Sequence, residues 1–475
     1  MRLLNTADTQ RISPSDIADI VAETYDVAII GAGLTGLRLA EQLTAADIST
    51  IVLEAADRPG GRVLTRQPSP GCPVDLGAEF VGPTQNRVLA LAKCTGVTLE
   101  EITTAGNNLF ESSQGISCYP ATDAIPPVDA ESLAHLMTCA VALNTAAHEH
   151  TGDDTASTQD TSVAAWIRGH ETSALCAELL TFVCRSIASA EPDTVSMRHL
   201  LWQVRAAGDR DNAGSIFRII STTDGAQKYR IAEGAGEMVR RLAYSAGCHI
   251  VGDAPVRQID AADGIYRVRG SDFCVAAHTV VVAMSPPLAA RLAYDFPLTP
   301  EVAGHHRAYR IGRSIKFAAL YDDAFWSDDG LSGHFNSTIG PIQSIYSRSY
   351  AQRGVALVGF VKADDAAVLA AAGDAGIQHG IDDHLVRAFG PMACLHRHLA
   401  VQNWDDSTWS GGCPCGYAPV GQRDPFGGAP GAVHQDGVYW CATESATHWR
   451  GYMDGALGAA DVLFDTLAAQ PAFAQ

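Results

Sequence analysis

The sequence predicts an α/β protein of two domains that interleave along the chain, and three observations carry this. The length of 475 residues accommodates two or three domains at roughly 150 residues each. Between Tyr25 and Leu53 an apolar run, a glycine-rich turn, a helical pattern and a second apolar run follow one another as a βαβ unit. Downstream, helical periodicity alternates with short β-branched runs, two textures without an internal repeat. A hydrophobic content of 47% and a charged content of 18% exclude disorder, collagen-like repeats and a disulfide-stapled miniprotein. The net charge of -20 argues against nucleic acid and anionic membrane as main partners and mildly favours cationic ligands.

Residues 1–24 read as a polar surface leader, and Met1 to Gln10 lacks the apolar core of a signal peptide. Tyr25 to Ile30 and Ile48 to Leu53 are buried parallel strands flanking a helix over Thr35 to Ala46. Thr84 to Cys94 is a helix stopped by Gly96. Leu133 to Ala147 comes nearest to a membrane span, but it is short and carries His135, Thr138 and Asn144, so a buried helix is expected. His150 to Ser162 is an acidic, small-residue surface loop. Helices follow over Thr172 to Ala188 and Thr194 to Ala207, then β-texture from Ile250 to Met284, ending in Thr279 to Ala283. Strands are expected near Ser314 to Tyr321 and Val355 to Val361, and helices over Ala366 to Ala372 and Ile381 to Phe389. A strand over Gly437 to Cys441 and a closing helix from Tyr452 to Ala468 complete the chain.

Twelve cysteines, from Cys72 to Cys441, form no repeating framework, which points to a reduced, cytoplasmic setting. His305-His306 reads as a loop pair and His396 with His398 as the two ends of a strand face. Neither has a third ligand at sensible spacing, so no metal is expected.

Gly31-Ala-Gly33-Leu-Thr-Gly36 joins the first strand to the first helix, and Glu54 ends the second strand. The first glycine makes the tight turn, the second admits a pyrophosphate, and the third lets helix and strand pack closely. The helix N-terminus offers N–H groups and a positive dipole to the phosphates, and Glu54 would accept from the ribose hydroxyls. A dinucleotide site follows.

The next residues, Asp57-Arg58-Pro59-Gly60-Gly61-Arg62, are superfluous for a nicotinamide cofactor and resemble the FAD-binding start of the flavin amine oxidases. The resemblance extends through Val74 to Arg87 (with Gly77 and Ala78), Arg218 to Gln227, Ser314-Ile-Lys316, Trp404 with Ser410 to Cys413, and Thr443-Glu444 to Met453. On these blocks, in family order over nearly the whole chain, the protein resembles the flavin-containing monoamine oxidases. Ending at Gln475, without an anchor helix, it resembles the family's soluble members.

The resemblance implies a Rossmann-like FAD-binding domain (25–99, 232–306 and 407–475) interleaved with a substrate domain of mixed sheet plus helices (100–231 and 307–406). It implies FAD held by Gly31, Gly33, Gly36, Glu54, Gly60, Gly61, Arg62, Gly77, Ala78, Val256, Trp404, Thr443, Glu444 and Met453. Cys413 aligns with the cysteine that bonds the flavin ring in the monoamine oxidases. A buried free thiol, or a Cys413/Cys415 pair in redox or metal chemistry, is the other reading of it. Lys316, a charge within an apolar strand, is by itself an edge or snorkelling residue. In the family it holds a water against the flavin and assists reaction with oxygen. Tyr452 is one wall of the family's aromatic cage. The opposite wall departs from the pattern: Pro414 stands where an aromatic is expected, and Tyr417 is the nearby ring that could replace it. Ile220, Gln227 and Tyr346 match pocket positions.

The implied activity is oxidation of an amine to an imine, then a carbonyl, with oxygen reduced to hydrogen peroxide. A flavin dehydrogenase or desaturase indifferent to oxygen is the alternative, and a flavin scaffold with a decayed cage is a third reading. The expected partners are a small amine and oxygen, with neither nucleic acid nor a membrane anchor. A homodimer is left open.

Overall fold

In the computed structural model the described residues are 1–4, 20, 23–102, 105–123, 125–149, 160–170, 172–222, 224–350, 353–426 and 431–470. Most of the expected leader and most of the acidic loop from His150 lie outside them. Among the described residues, two large sheets organise the molecule.

The first sheet, of ten strands, forms around the predicted βαβ unit. Thr24–Ile30 pairs in parallel with Thr50–Leu53 on one side and Cys274–Val282 on the other. His249–Gly252 extends the parallel run beyond Thr50–Leu53, and Val438–Trp440 adds to Cys274–Val282. The central strands are buried on both faces, as their unbroken Val/Ile runs require. The helices Leu34–Ala45 and Met453–Ala468 pack on one face around Leu37, Leu43, Leu457 and Leu463.

The second sheet runs His398–Asn403, Ser314–Tyr321, Val355–Lys362, Ile342–Ser349, Leu331–Ser337, Asn107–Ser112 and Gly115–Pro120. Ser314–Tyr321, the strand of Lys316, is interior and pairs antiparallel with both neighbours. A cluster of helices including Ala174–Ala188, Met197–Ala206 and Ile216–Ile220 closes the space beside this sheet.

Three expectations need correction. The helix Ala130–Glu149 is not buried throughout: Leu133, Met137 and Val141 are exposed, while Cys139, Ala140, Leu143 and Ala147 face the core. The apolar residues fall on two stripes, and only one of them meets the protein. His305 and His306 lie in the helix Pro300–Arg307, not a loop; both are buried, and His305 Nδ1 is 3.1 Å from Asp424. His396 precedes the strand that His398 begins and is 2.9 Å from Asp382. Among the described residues no helix is long and apolar enough to cross a membrane.

Candidate active site

The glycine turn does what its spacing requires. Gly31 has φ 110°, a conformation costly for any residue with a side chain. A Cβ on Gly36 would overlap the carbonyl oxygen of Gly31, so strand and helix could not approach as they do. Gly33 differs from both. It caps the helix at φ -72°, and a Cβ there would meet no protein atom within 4 Å. Nothing in the chain itself requires a glycine at Gly33, so the open space before the helix N-terminus is room for a ligand.

Glu54 accepts hydrogen bonds from the backbone N–H groups of Ala32 at 2.7 Å and Ala56 at 2.9 Å. Burial raises its pKa, and the two N–H donors oppose the rise. The carboxylate thus fixes the turn while lining the cavity beside it. Gly61 lies against Gly33, and Arg58 holds that loop by donating to the Gly61 and Val63 carbonyls at 2.8 and 2.9 Å.

Arg62 is matched rather than free: its guanidinium donates to the Pro414 carbonyl at 2.8 Å and to Glu444 at 3.0 Å. Glu444 also accepts from the Gly416 N–H at 2.9 Å. Burial would raise the Glu444 carboxyl, but Arg62 holds it below the ordinary range. Trp404 donates its indole N–H to the Leu76 carbonyl at 2.8 Å, fixing the segment that carries Gly77 and Ala78. Thr443 donates to the Tyr452 carbonyl at 3.0 Å and accepts from Gly451 N–H at 2.9 Å, which sets the start of the Met453–Ala468 helix.

Lys316 is neither at an edge nor snorkelling. It is buried, and its Nζ donates to the Gly77 carbonyl at 2.9 Å and to Glu79 at 2.7 Å. Glu79 also lies 3.9 Å from Arg348, which reaches Asp75 at 3.4 Å. Burial would raise Glu79, yet Lys316 and Arg348 hold it below the usual carboxylate range; Asp75 is pushed up by burial and by Glu79. Phe80, Tyr346 and Phe360 form a ring cluster beside this pair, Phe80 and Tyr346 meeting edge-on at 5.0 Å. Gln227 donates to the Ile219 carbonyl at 3.1 Å, while its buried Oε1 has no hydrogen-bond partner.

A cavity of about 1070 Å³ joins these parts. Gly31, Gly33, Glu54, Gly60, Gly61, Arg62, Gly77, Ala78, Val256, Trp404, Cys413, Thr443 and Met453 line it. So do Lys316, Tyr452, Ile220, Gln227, Tyr346 and Pro414. Gly36 and Glu444 do not; they act from behind the wall through packing and the Arg62 pair. Tyr417 does not replace the missing ring, because it packs into the helical core. Tyr452 meets Trp449 edge-on at 5.0 Å. Burial raises the Cys413 thiol, and Arg62, Lys316 and Lys362 pull it back. Cys413 and Cys415 are both free thiols.

Sequence reasoning passed over Glu79 and Lys362. Glu79 stands inside a block already singled out. Lys362 follows the apolar Val355 to Val361 run, the same signal that drew notice to Lys316.

The family model of flavin-containing amine oxidoreductases matches residues 34–461. The chain is 29% identical to the flavin-containing monoamine oxidase AofH of Mycobacterium tuberculosis over 91% of its length and 94% of that protein's. It is 30% identical to a flavin-containing amine oxidase of Oncorhynchus mykiss, over 92% and 84% of the two chains. Cyclohexylamine oxidase of Brevibacterium oxydans superposes with a TM-score of 0.84 at 25% identity, covering 94% of this chain and 99% of that one. A glycine turn between strand and helix, a cavity leading from it to a buried lysine and a tyrosine, and a match across nine-tenths of the sequence agree: this chain belongs to the family of flavin-containing amine oxidoreductases.

Proposed function

We propose that the chain oxidises a small amine to an imine, which water converts to a carbonyl with release of ammonia or a smaller amine, and delivers the two electrons and protons to dioxygen as hydrogen peroxide. The observation that carries this reading is the continuity of one cavity from the Gly31 to Gly36 turn to Lys316, Gln227 and Tyr452. FAD bound along that cavity would supply the acceptor for the hydride equivalent leaving the carbon beside nitrogen.

The chain's own residues orient the amine and shape its surroundings. Tyr452 offers a ring face, and the free Oε1 of Gln227 offers an acceptor for an amine N–H. Tyr346, Phe80 and Phe360 exclude water. The Met453 helix N-terminus favours negative charge in front of it. Lys316 supplies a fixed ammonium at the far wall, the group suited to the oxygen half of the cycle. Cys413 is the residue we assign to a thioether with the ring, and the cofactor-contacting residues take the roles given above. The division into three segments of one domain and two of the other, a cytoplasmic setting and a homodimer belong to the same reading, the last open to sedimentation.

One observation favours a dehydrogenase instead: the Glu79 carboxylate at 2.7 Å offsets the Lys316 charge. Purified protein should be yellow and should release peroxide with some amine in a peroxidase-coupled screen. Amine-dependent bleaching that needs a dye and gives no peroxide would establish the dehydrogenase. A folded, colourless protein that takes up no FAD would overturn both.

A further inference from the structure

Two lysines line the cavity, and only one has an acid beside it. Lys316 has Glu79 at 2.7 Å, and the cavity-lining Arg62 has Glu444 at 3.0 Å. Lys362 ends the Val355–Lys362 strand two residues beyond Phe360, so the two side chains leave the same face of the sheet, and both line the cavity. Its Nζ lies 5.2 Å from the centre of the Phe360 ring, against which Lys316 Nζ also rests, at 4.7 Å. It donates to the Ser186 carbonyl at 3.2 Å. Among the described residues no carboxylate pairs with it.

Part of this has a purely structural account. Ser186 stands in the last turn of the Ala174–Ala188 helix, where a lysine commonly satisfies a terminal carbonyl. That bond occupies one of three N–H donors on the ammonium. The other two remain on a half-buried charge that lines the cavity, where an arriving counter-charge would be favoured.

We propose that Lys362 anchors a carboxylate carried by the substrate, so that the amine oxidised here is an amino-carboxylate rather than a plain alkylamine. This rests on the amine-oxidising reading above and names its substrate class. The amine end takes Gln227 and Tyr452, and the carboxylate passes the Phe360 ring to reach Lys362. One unmatched ammonium answers one negative charge, so a monoanion fits where a phosphomonoester dianion would leave a charge uncompensated. Half an aromatic cage is then sufficient, because the anchor supplies the orientation a second ring would give.

The test uses the flavin-loaded enzyme and two kinds of probe. Hexanoate, which has no amine to oxidise, is titrated by calorimetry and by the visible flavin spectrum. Straight-chain aminocarboxylates of three to six carbons are each assayed beside the alkylamine of the same length. Hexanoate should bind the unmutated enzyme, Lys362→Met should weaken it about tenfold or more, and Lys362→Arg should restore most of the loss. For the aminocarboxylates Lys362→Met should raise KM about tenfold with kcat nearly unchanged, and it should leave the alkylamines alone.

The unmutated enzyme gives a second reading should the Met variant fail to fold. Burial lowers Lys362 to about 8 and Lys316 adds to the shift; Cys413, which opposes it as a free thiol, no longer titrates once bonded to the ring, and these are the titratable groups that face it. Hexanoate affinity should therefore fall above that pH. Hexanoate that fails to bind, or that binds the Met variant equally well, overturns the proposal. Amines oxidised without any effect of Lys362 on carboxylates leave the oxidase and remove the anchor. Lys362-dependent hexanoate binding with no amine oxidised keeps the anchor and removes the oxidase.

Discussion

Replacing Gly33 separates what the protein needs for itself from what it needs for its cofactor. At φ -72° and ψ 177° the position accepts any L residue, and a Cβ meets no atom within 4 Å. Gly33→Ala should therefore leave the apoprotein as stable as before, or stabilise it by about 0.4–1 kcal/mol through the unfolded chain. FAD at a hundred times its dissociation constant adds about 2.7 kcal/mol to the unmutated protein. A side chain in the phosphate position should remove most of that gain, a loss of about a hundredfold in affinity. The control is Gly36→Ala, whose Cβ overlaps the Gly31 carbonyl and should cost the apoprotein about 1–3 kcal/mol before any ligand is added. Urea unfolding of the apoproteins, each with and without FAD, reads all three numbers. A Gly33 variant that unfolds early without FAD, or one that gains as much from FAD as the unmutated protein, refutes the assignment of that space to the phosphates.

Four further outcomes follow from the structure. Acid-precipitated protein should keep flavin fluorescence, and Cys413→Ser should release it; complete release from the unmutated protein excludes the thioether and leaves FAD binding intact. Lys316→Met should slow reoxidation by oxygen far more than anaerobic reduction by amine, while Tyr452→Ala should do the reverse in stopped-flow traces. Because Lys316→Met also strips Glu79 of a buried partner, about 3–5 kcal/mol of stability should go with it, moderated by Arg348 and recovered in part by Lys316→Met with Glu79→Gln. Burial raises Asp454 to about 6 from its ordinary 3.8, so the stability it contributes is complete below 3.8 and is lost as pH rises through 6. Asp454→Asn, which can still accept from the Arg87 and Val88 N–H groups, should unfold later than the unmutated protein at pH 7.5, by up to about 3 kcal/mol, and lose that margin towards pH 4.

The sequence was most readable where one local rule governs. Continuous apolar runs located the central strands, and Ser314–Tyr321 begins and ends where its composition says it should. Gly96, at φ 68°, stops the helix that it was expected to stop. Glycine spacing located the turn between the first strand and the first helix, where Gly31 and Gly36 each answer a separate backbone constraint. What composition alone could not reveal is pairing across the chain. Glu79 meets Lys316 over 237 positions, and Arg62 meets Glu444 over 382. A carboxylate beside a lysine changes that lysine's chemistry, yet neither residue carries a sign of the other. The Ala130–Glu149 helix failed for a related reason. Apolar content says that a surface seeks cover, whereas only the tertiary arrangement says which stripe receives it.

Arg348 shows how tightly the two sheets are joined. From the Ile342–Ser349 strand its guanidinium reaches the Ile231 and Ala232 carbonyls at 3.0 and 2.8 Å, and it reaches Asp75 on the other side. Asp75 in turn accepts from the Ala235 N–H at 2.9 Å, at the start of a helix packed on the first sheet. Hinging the sheets apart by a few ångström would break all of these bonds at once and leave charge buried without a partner, a penalty of several kcal/mol per ion. Those bonds oppose a clamshell opening of the two sheets. Traffic falls to the side chains at the rim, where Ile220 and Trp409 keep 44% and 45% of their surface exposed while lining the cavity. Rotamer changes at such positions take picoseconds to nanoseconds. Substrate entry should then be limited by diffusion and desolvation, and the slow events of turnover by chemistry at the cavity's inner end.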